Sequence, residues 1–230
     1  MSKSFQIALA GNPNTGKSTL FNLLTGLKQH TGNWAGKTVD LKVGNFYIKD
    51  KMFEMIDLPG TYSLFSNSKD EEIARDYIVF NKPHVTLVVL DGTALERNMN
   101  LALQVMEITD NVIVCINLID EAEKLGIKIN EKVLMKRLGV PVIKISARNK
   151  TGIPMLLDTI DRLASGVIRC KPYQLKYDEE TEQKINLLLP EVRIISGGKF
   201  PERWLALRLL DGDKSLLEKI EKELSNSEVI

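Results

Sequence analysis

One stretch constrains this chain more than any other: Gly11-Asn12-Pro13-Asn14-Thr15-Gly16-Lys17-Ser18, a GxxxxGK[ST] pattern. The apolar run 5–10 before it reads as a buried strand. Leu20, Phe21 and Leu24 after it stand at helical spacing and predict a helix over 17–27. A glycine-rich turn between a strand and a helix lets the backbone wrap phosphates, with successive amides and the helix N-terminus supplying positive potential. Lys17 then reaches the β- and γ-phosphates, Ser18 offers its hydroxyl to Mg2+, and Thr19 completes the binding stretch. This much implies a nucleoside triphosphate site without choosing the base.

The rest of the N-terminal part repeats strand and helix. Polar, Gly-rich 28–38 reads as an irregular loop, followed by strands over 39–49 and 51–56. A second loop over 61–70 and a helix over 71–80 lead to the most apolar strand, 85–90. A helix (97–109), a strand (112–116), a helix (130–138), a strand (142–145) and a helix (153–164) complete the series. The expected fold class is α/β, a P-loop nucleotide-binding type with a mainly parallel six-stranded sheet covered by helices on both faces. Its ligands bind where the strands end. Near residue 170 the pattern changes. Residues 169–177 read as a linker, and helical periodicity alone follows, over about 179–189, 201–210 and 214–224, interrupted at Gly197-Gly198 and Asp211-Gly212-Asp213. Three segments result: 1–168 for the nucleotide-binding domain, 169–177 for the linker, and 178–230 for a small all-helical domain.

Spacing selects the base. Asp57-Leu58-Pro59-Gly60 closes a strand, placing a carboxylate to hold Mg2+ through water and the Gly60 amide near a γ-phosphate. Asn117-Leu118-Ile119-Asp120 closes the strand at 112–116. Guanine presents its N1–H and exocyclic amine as a donor pair that one carboxylate accepts; adenine lacks that edge, so Asp120 selects guanine. Ser146-Ala147-Arg148 closes the next strand, where backbone amides face the guanine oxygen. Each motif is weak alone, but four in chain order, each after an expected strand, are specific.

These residues resemble the translation-factor-like small GTPases, and more narrowly the N-terminal G domain of the FeoB ferrous-iron transporter family. The resemblance is carried by the P-loop, by Thr31-Gly32-Asn33-Trp34-Ala35-Gly36-Lys37-Thr38-Val39-Asp40 and by Asp57-Leu58-Pro59-Gly60-Thr61-Tyr62-Ser63-Leu64. It is clear over 5–168 and only topological beyond. It implies GTP and GDP as ligands, Mg2+ held by Ser18, Thr38 and Asp57, and a nucleotide-binding first switch containing Gly36 and Lys37. The switches would lie at about 28–40 and 60–72. It also implies K+ held by Asn14 with the Gly32 and Trp34 carbonyls, a helical spacer that controls nucleotide affinity, and placement at the cytoplasmic face of the cell membrane. A membrane permease domain of the same polypeptide, absent from this chain, would be the partner; a homo-oligomer is compatible with the pattern. Catalysis would rest on Lys17, Asn14, Thr38 and Gly60. The water-orienting glutamine that Ras places after the Asp-x-x-Gly glycine is Thr61 here, which implies slow turnover. Asn14 also suits a simple loop turn. Glu71 and Glu72 either orient water or only favour a helix N-terminus, and the second reading is preferred. Trp34 either packs near the nucleotide or shields the base of its loop.

Bulk properties narrow the classes. A formal net charge of +1 over 230 residues gives no electrostatic case for nucleic acid. An acidic tail without aromatic–basic interleaving argues against the runner-up, a free-standing cytosolic GTPase of ribosome assembly or tRNA modification. A non-catalytic nucleotide sensor is the third reading. Two cysteines make no disulfide framework; Cys115 reads as a core residue and Cys170 as a linker residue. His30 and His84, isolated from acidic or thiol neighbours, read as surface residues rather than iron ligands. No apolar run reaches the ~18 residues that span a bilayer, so the resemblance to a transporter implies that the chain is a fragment of a longer protein.

Overall fold

The computed structural model describes residues 4–26, 29–33, 40–65 and 68–226. Two compact units divide it, 1–173 and 174–230. In the first, β1 (Ser4–Gly11) runs into the P-loop and α1 (Lys17–Thr25). Then come β2 (Gln29–Asn33), β3 (Asp40–Ile48), β4 (Lys51–Asp57), α2 (Lys69–Asn81), β5 (Val85–Asp91), α3 (Leu95–Ile108), β6 (Val112–Asn117), α4 (Ile119–Lys124), α5 (Glu131–Leu138), β7 (Val142–Lys144) and α6 (Ile153–Ala164).

The strands form one sheet in the order β2-β3-β4-β1-β5-β6-β7. Pairing is parallel from β4 through β1 to β7 and antiparallel where β3 meets β2 and β4. All six expected strands are present. A seventh, β2, pairs along β3 where an irregular loop is expected. Its sequence, Gln-His-Thr-Gly-Asn, has no apolar alternation. Without β2, β3 would expose a row of unpaired amides and carbonyls at the sheet edge, and backbone pairing satisfies them with any side chains. The short α4 is also unexpected. It is preceded by Leu118 at its N-cap, which adopts a left-handed φ of 59°.

Period-two alternation explains the two-sided core. Phe5, Ile7 and Leu9 of β1 and Val85, Leu87 and Val89 of β5 pack with Leu20 and Phe21 of α1 and Leu156 and Ile160 of α6. The intervening Ala8, Ala10, Val88 and Leu90 are equally buried and face the other side, where α2 meets β1 and α3 meets β5. Both faces are therefore covered, and only the strand ends remain for ligands.

An ion cluster fastens the β3–β4 hairpin to α6. Asp161, 5% exposed, accepts from Lys51 Nζ at 2.5 Å and Lys49 Nζ at 3.1 Å. Hydrogen bonding from Lys51 is the main reason its carboxyl lies below the ordinary range. A depressed carboxyl contributes stability that is complete above the unfolded pKa near 4 and is lost as pH falls through the folded value. Asp161→Ala is expected to cost about 1–2 kcal/mol at neutral pH, because both lysines can return to water. The loss should shrink below about pH 4. Urea unfolding at pH 7 and pH 3 checks both parts, and an equal loss at the two pH values would refute the assignment.

The second unit contains α7 (Glu179–Ser196), α8 (Glu202–Asp211) and α9 (Lys214–Asn226). Asp178 caps α7 by accepting from the Thr181 amide at 2.9 Å. The helix passes Pro190 and ends seven residues beyond the expected Leu189, because Ile185, Val192 and Ser196 lie on one buried stripe. Arg203 grips Glu182 at 2.6 and 2.8 Å, which lowers the Glu182 carboxyl to about 2. No helix among the described residues is long and apolar enough to cross a membrane.

Candidate functional site

The P-loop leaves β1 at Gly11, whose backbone lies so close to β5 that an added Cβ would sit 2.7 Å from the Val89 carbonyl oxygen. Asn14 and Gly16 take left-handed φ values of 66° and 77°. The Thr15 hydroxyl donates to the Asn12 carbonyl at 3.0 Å, closing the turn from within. Pro13 lies against Gly60, and the Thr61 amide donates to the Gly11 carbonyl at 3.2 Å. The Asp-x-x-Gly segment is thereby held on the phosphate loop.

Lys17 Nζ contacts Asp57 Oδ1 and donates to the Leu58 carbonyl at 2.7 Å. The expected phosphate cation and the expected Mg2+-binding carboxylate therefore neutralise each other. Ser18 and Thr19 are exposed at the start of α1. A hydroxyl and a carboxylate form the hard-oxygen donor set that Mg2+ prefers, so these residues fit that ion.

Asn117 ties the base end to the phosphate end. Buried to 1% exposure, it donates from Nδ2 to the Thr15 carbonyl at 2.9 Å and accepts at Oδ1 from the Ala147 amide at 3.0 Å. One side chain thus joins the P-loop, β6 and the Ser146-Ala147-Arg148 loop. An isolated bridge between Ser146 and Thr151 shapes that loop. Arg148 is exposed and stands 4.0 Å from Glu121.

Asp120 shows what the site is missing. Its Oδ2 accepts from Asn149 Nδ2 at 3.0 Å. Its Oδ1 is buried and has no hydrogen-bond partner. The neighbouring Ser146 hydroxyl, the largest influence, holds the carboxyl below its ordinary range, so the group is ionised at neutral pH. A shielded, ionised acceptor without a donor is costly, and the N1–H and amine edge of guanine supplies the complement.

The structure therefore gathers Gly11, Asn12, Pro13, Asn14, Thr15, Gly16, Lys17, Ser18, Asp57, Gly60, Asn117, Leu118, Asp120, Ser146 and Ala147 at the strand ends. Gly36, Lys37, Thr38 and Trp34 lie outside the described residues. Gly32 lies in β2 and pairs with Leu41 of β3, three strands from the β1 that carries the P-loop. Glu71 and Glu72 occupy the first turn of α2, which starts two residues earlier than expected under the cap of Ser68. Three contributors were not legible beforehand. Asn149 orients Asp120. Gln104 of α3 accepts from the Leu64 amide at 2.6 Å and pins the segment after Gly60. Asn117 acts as a tie rather than only a neighbour of the base. For Asn149 the available signal was its place directly after the Ser-Ala-Arg loop. Among the described residues no His, Cys and acidic group clusters as a metal site. His84 Nδ1 instead accepts from the Gln6 amide at 3.1 Å. Cys115 is buried, and burial pushes its thiol up.

Comparison with known proteins agrees with this geometry. Residues 5–160 match the family model of ferrous iron transport protein B, and residues 177–230 that of the FeoB cytosolic helical domain. The Fe(2+) transporter FeoB of Staphylococcus aureus strain COL is 36% identical over 220 residues, which cover 95% of this chain and 32% of that protein. The one from Escherichia coli K12 is 39% identical over 216 residues, covering 92% of this chain and 27% of that protein. This chain thus spans about a third or less of the length of these relatives. Among solved structures, the cytosolic domain of the T. maritima FeoB iron transporter in a GDP form superposes with a TM-score of 0.87 at 36% identity, covering 96% of this chain and 86% of that one. Its GMPPNP form gives 0.84 at 36% identity, covering 95% and 85%. The fold is that of a GTP-binding G domain, and the chain belongs to the ferrous iron transport protein B family.

Proposed function

We propose that this chain binds GTP and GDP with Mg2+ and hydrolyses GTP slowly as the regulatory G domain of a ferrous-iron transporter, at the cytoplasmic face of the membrane. One observation carries the nucleotide assignment. The ionised Asp120 presents a buried, partnerless Oδ1, while Asn117 of the same motif holds the P-loop at Thr15. Base and phosphate recognition are thereby fixed in one frame. The GDP- and GMPPNP-bound forms of the T. maritima relative support the same ligand class.

The residues then divide the work. The P-loop amides and Lys17 bind the phosphates, which requires Lys17 to leave Asp57. Ser18 and Asp57, with Thr38 by resemblance, would hold Mg2+, which when bound neutralises phosphate charge. Gly60, resting on Pro13, presents its amide to the terminal phosphate. Thr61 stands where a water-orienting glutamine would be needed, but it is buried with its amide on Gly11. It orients no water from that position, and slow turnover follows.

K+ is the proposed compensating charge, with Asn14 as its side-chain ligand. Asn14 is exposed at a left-handed turn of the P-loop, where its carboxamide can reach a phosphate-bound cation. Three strand spacings of about 4.8 Å place Gly32 roughly 14 Å from β1, so this reading also requires β2 to leave the sheet edge when GTP binds. The test is GTP turnover with Mg2+ in KCl against NaCl at equal ionic strength. Turnover should be at least about tenfold faster in KCl, in line with electrostatic stabilisation of transferring phosphate. Asn14→Ala should remove the difference without changing GDP affinity. Equal rates in the two salts would discard K+ and leave the guanine site standing.

A further inference from the structure

The surface from the end of α4 through α5 differs from the rest of a nearly neutral chain. Between positions 124 and 137 stand Lys124, Lys128, Lys132, Lys136 and Arg137, against the single acid Glu131. Lys144 of β7 pairs with that acid at 2.8 Å. All five cations are exposed. β7 is the last strand of the sheet, and α5 packs on it, so the α5 cations Lys132, Lys136 and Arg137 lie at the free edge opposite β2. Lys132 and Lys136 stand one helical turn apart on the same side.

A solvated helix face would account for lysines alone. It does not account for what lies among them. Leu125 is 68% exposed in the turn between α4 and α5, and Ile127, Val133 and Met135 are also uncovered. Lys124 and Lys128 bracket the apolar turn Leu125-Gly126-Ile127. Apolar side chains framed by cations match an interface that is negative at its surface and apolar just below it. An acidic protein surface would pair the lysines but leave Leu125 in a polar setting.

We infer that this edge of the G domain docks on an anionic lipid bilayer, with the 125–127 turn entering the headgroup layer and the α5 lysines pairing with lipid phosphates. The inference rests on the reading of the chain as part of a membrane transporter, which places it beside a bilayer.

The test is co-sedimentation of this chain with phosphatidylcholine vesicles, with and without phosphatidylglycerol, while GDP binding is followed in the same samples. Binding should require phosphatidylglycerol and weaken as salt shortens the screening length. Each lysine near an anionic surface is worth about fivefold in partitioning, so Lys132→Glu with Lys136→Glu should lower it by more than ~25-fold. Leu125→Asp should weaken what binding survives in high salt. None of these residues belongs to the nucleotide site, so GDP affinity should stay unchanged in every variant. Binding to neither vesicle, as an acidic protein partner would give, overturns the inference. So does equal binding to both vesicles, or wild-type binding by the double variant. Loss of GDP binding by the unaltered chain would instead defeat the nucleotide reading, so the two failures are separable.

Discussion

Asp120→Asn should lower affinity for GDP and GTP by about two to four orders of magnitude, because a carboxylate accepting two N–H groups provides two charge-assisted hydrogen bonds of about 1.5–3 kcal/mol each. The structure also dictates how the substituted amide sits. Asn149 Nδ2 already donates to Oδ2, so the new amide oxygen stays toward Asn149. The new amine then replaces the partnerless Oδ1 and confronts the guanine donors with another donor. A base with a carbonyl in place of the guanine amine reverses that clash. Xanthosine diphosphate should therefore bind Asp120→Asn better than GDP does, and the wild type should show the opposite order. Titration with both nucleotides checks this. Guanine affinity within threefold of wild type, a threshold far below the expected bond energies, would mean that Asp120 does not read the base.

Gly16→Ala is expected to abolish nucleotide binding through the protein rather than through the ligand. A Cβ at position 16 would fall 2.3 Å from Asn117 Nδ2, on a backbone with φ of 77°. Left-handed backbone costs a non-glycine residue about 1–2 kcal/mol. Displacing Asn117 leaves the Thr15 carbonyl and the Ala147 amide buried without partners, at about 1–3 kcal/mol each. The total, roughly 3–8 kcal/mol, is a large share of an ordinary domain stability of about 5–15 kcal/mol. Calorimetry should show a sharply lower melting temperature, and GDP titration should show affinity down by more than ~100-fold. A variant that melts and binds as the wild type does would remove Asn117 from its place as the tie between phosphate loop and base loop.

Asn117 also marks where reading the chain stops. Its neighbours in sequence identify it as part of a guanine motif. Nothing local says that its amide reaches back 102 residues to Thr15 and forward 30 to Ala147. Those bonds exist because β1, β5, β6 and β7 are consecutive in the sheet and end together. Thr61 is similar. The absence of glutamine was plain from its identity, whereas its burial against Gly11 follows from the packing of the segment on the P-loop. β2 escaped notice because its residues carry no alternation, and a partner strand alone makes it a strand. In α7 the periodicity read from the residues stops near Leu189, and the buried stripe through Val192 carries the helix on to Ser196.

The order of motifs along this chain, each placed after an apolar strand, was enough by itself to determine the nucleotide-binding fold and the division into a G domain and a helical part, and to point to guanine as the base. That information is local: glycine spacing, strand length and residue type act within a few positions of one another. Tertiary structure alone decided which acceptor was left without a donor, that Lys17 sits on Asp57 and that residues 29–33 pair with β3 as an edge strand. These depend on distances between segments far apart in sequence, and only the packing of a two-faced sheet sets those distances.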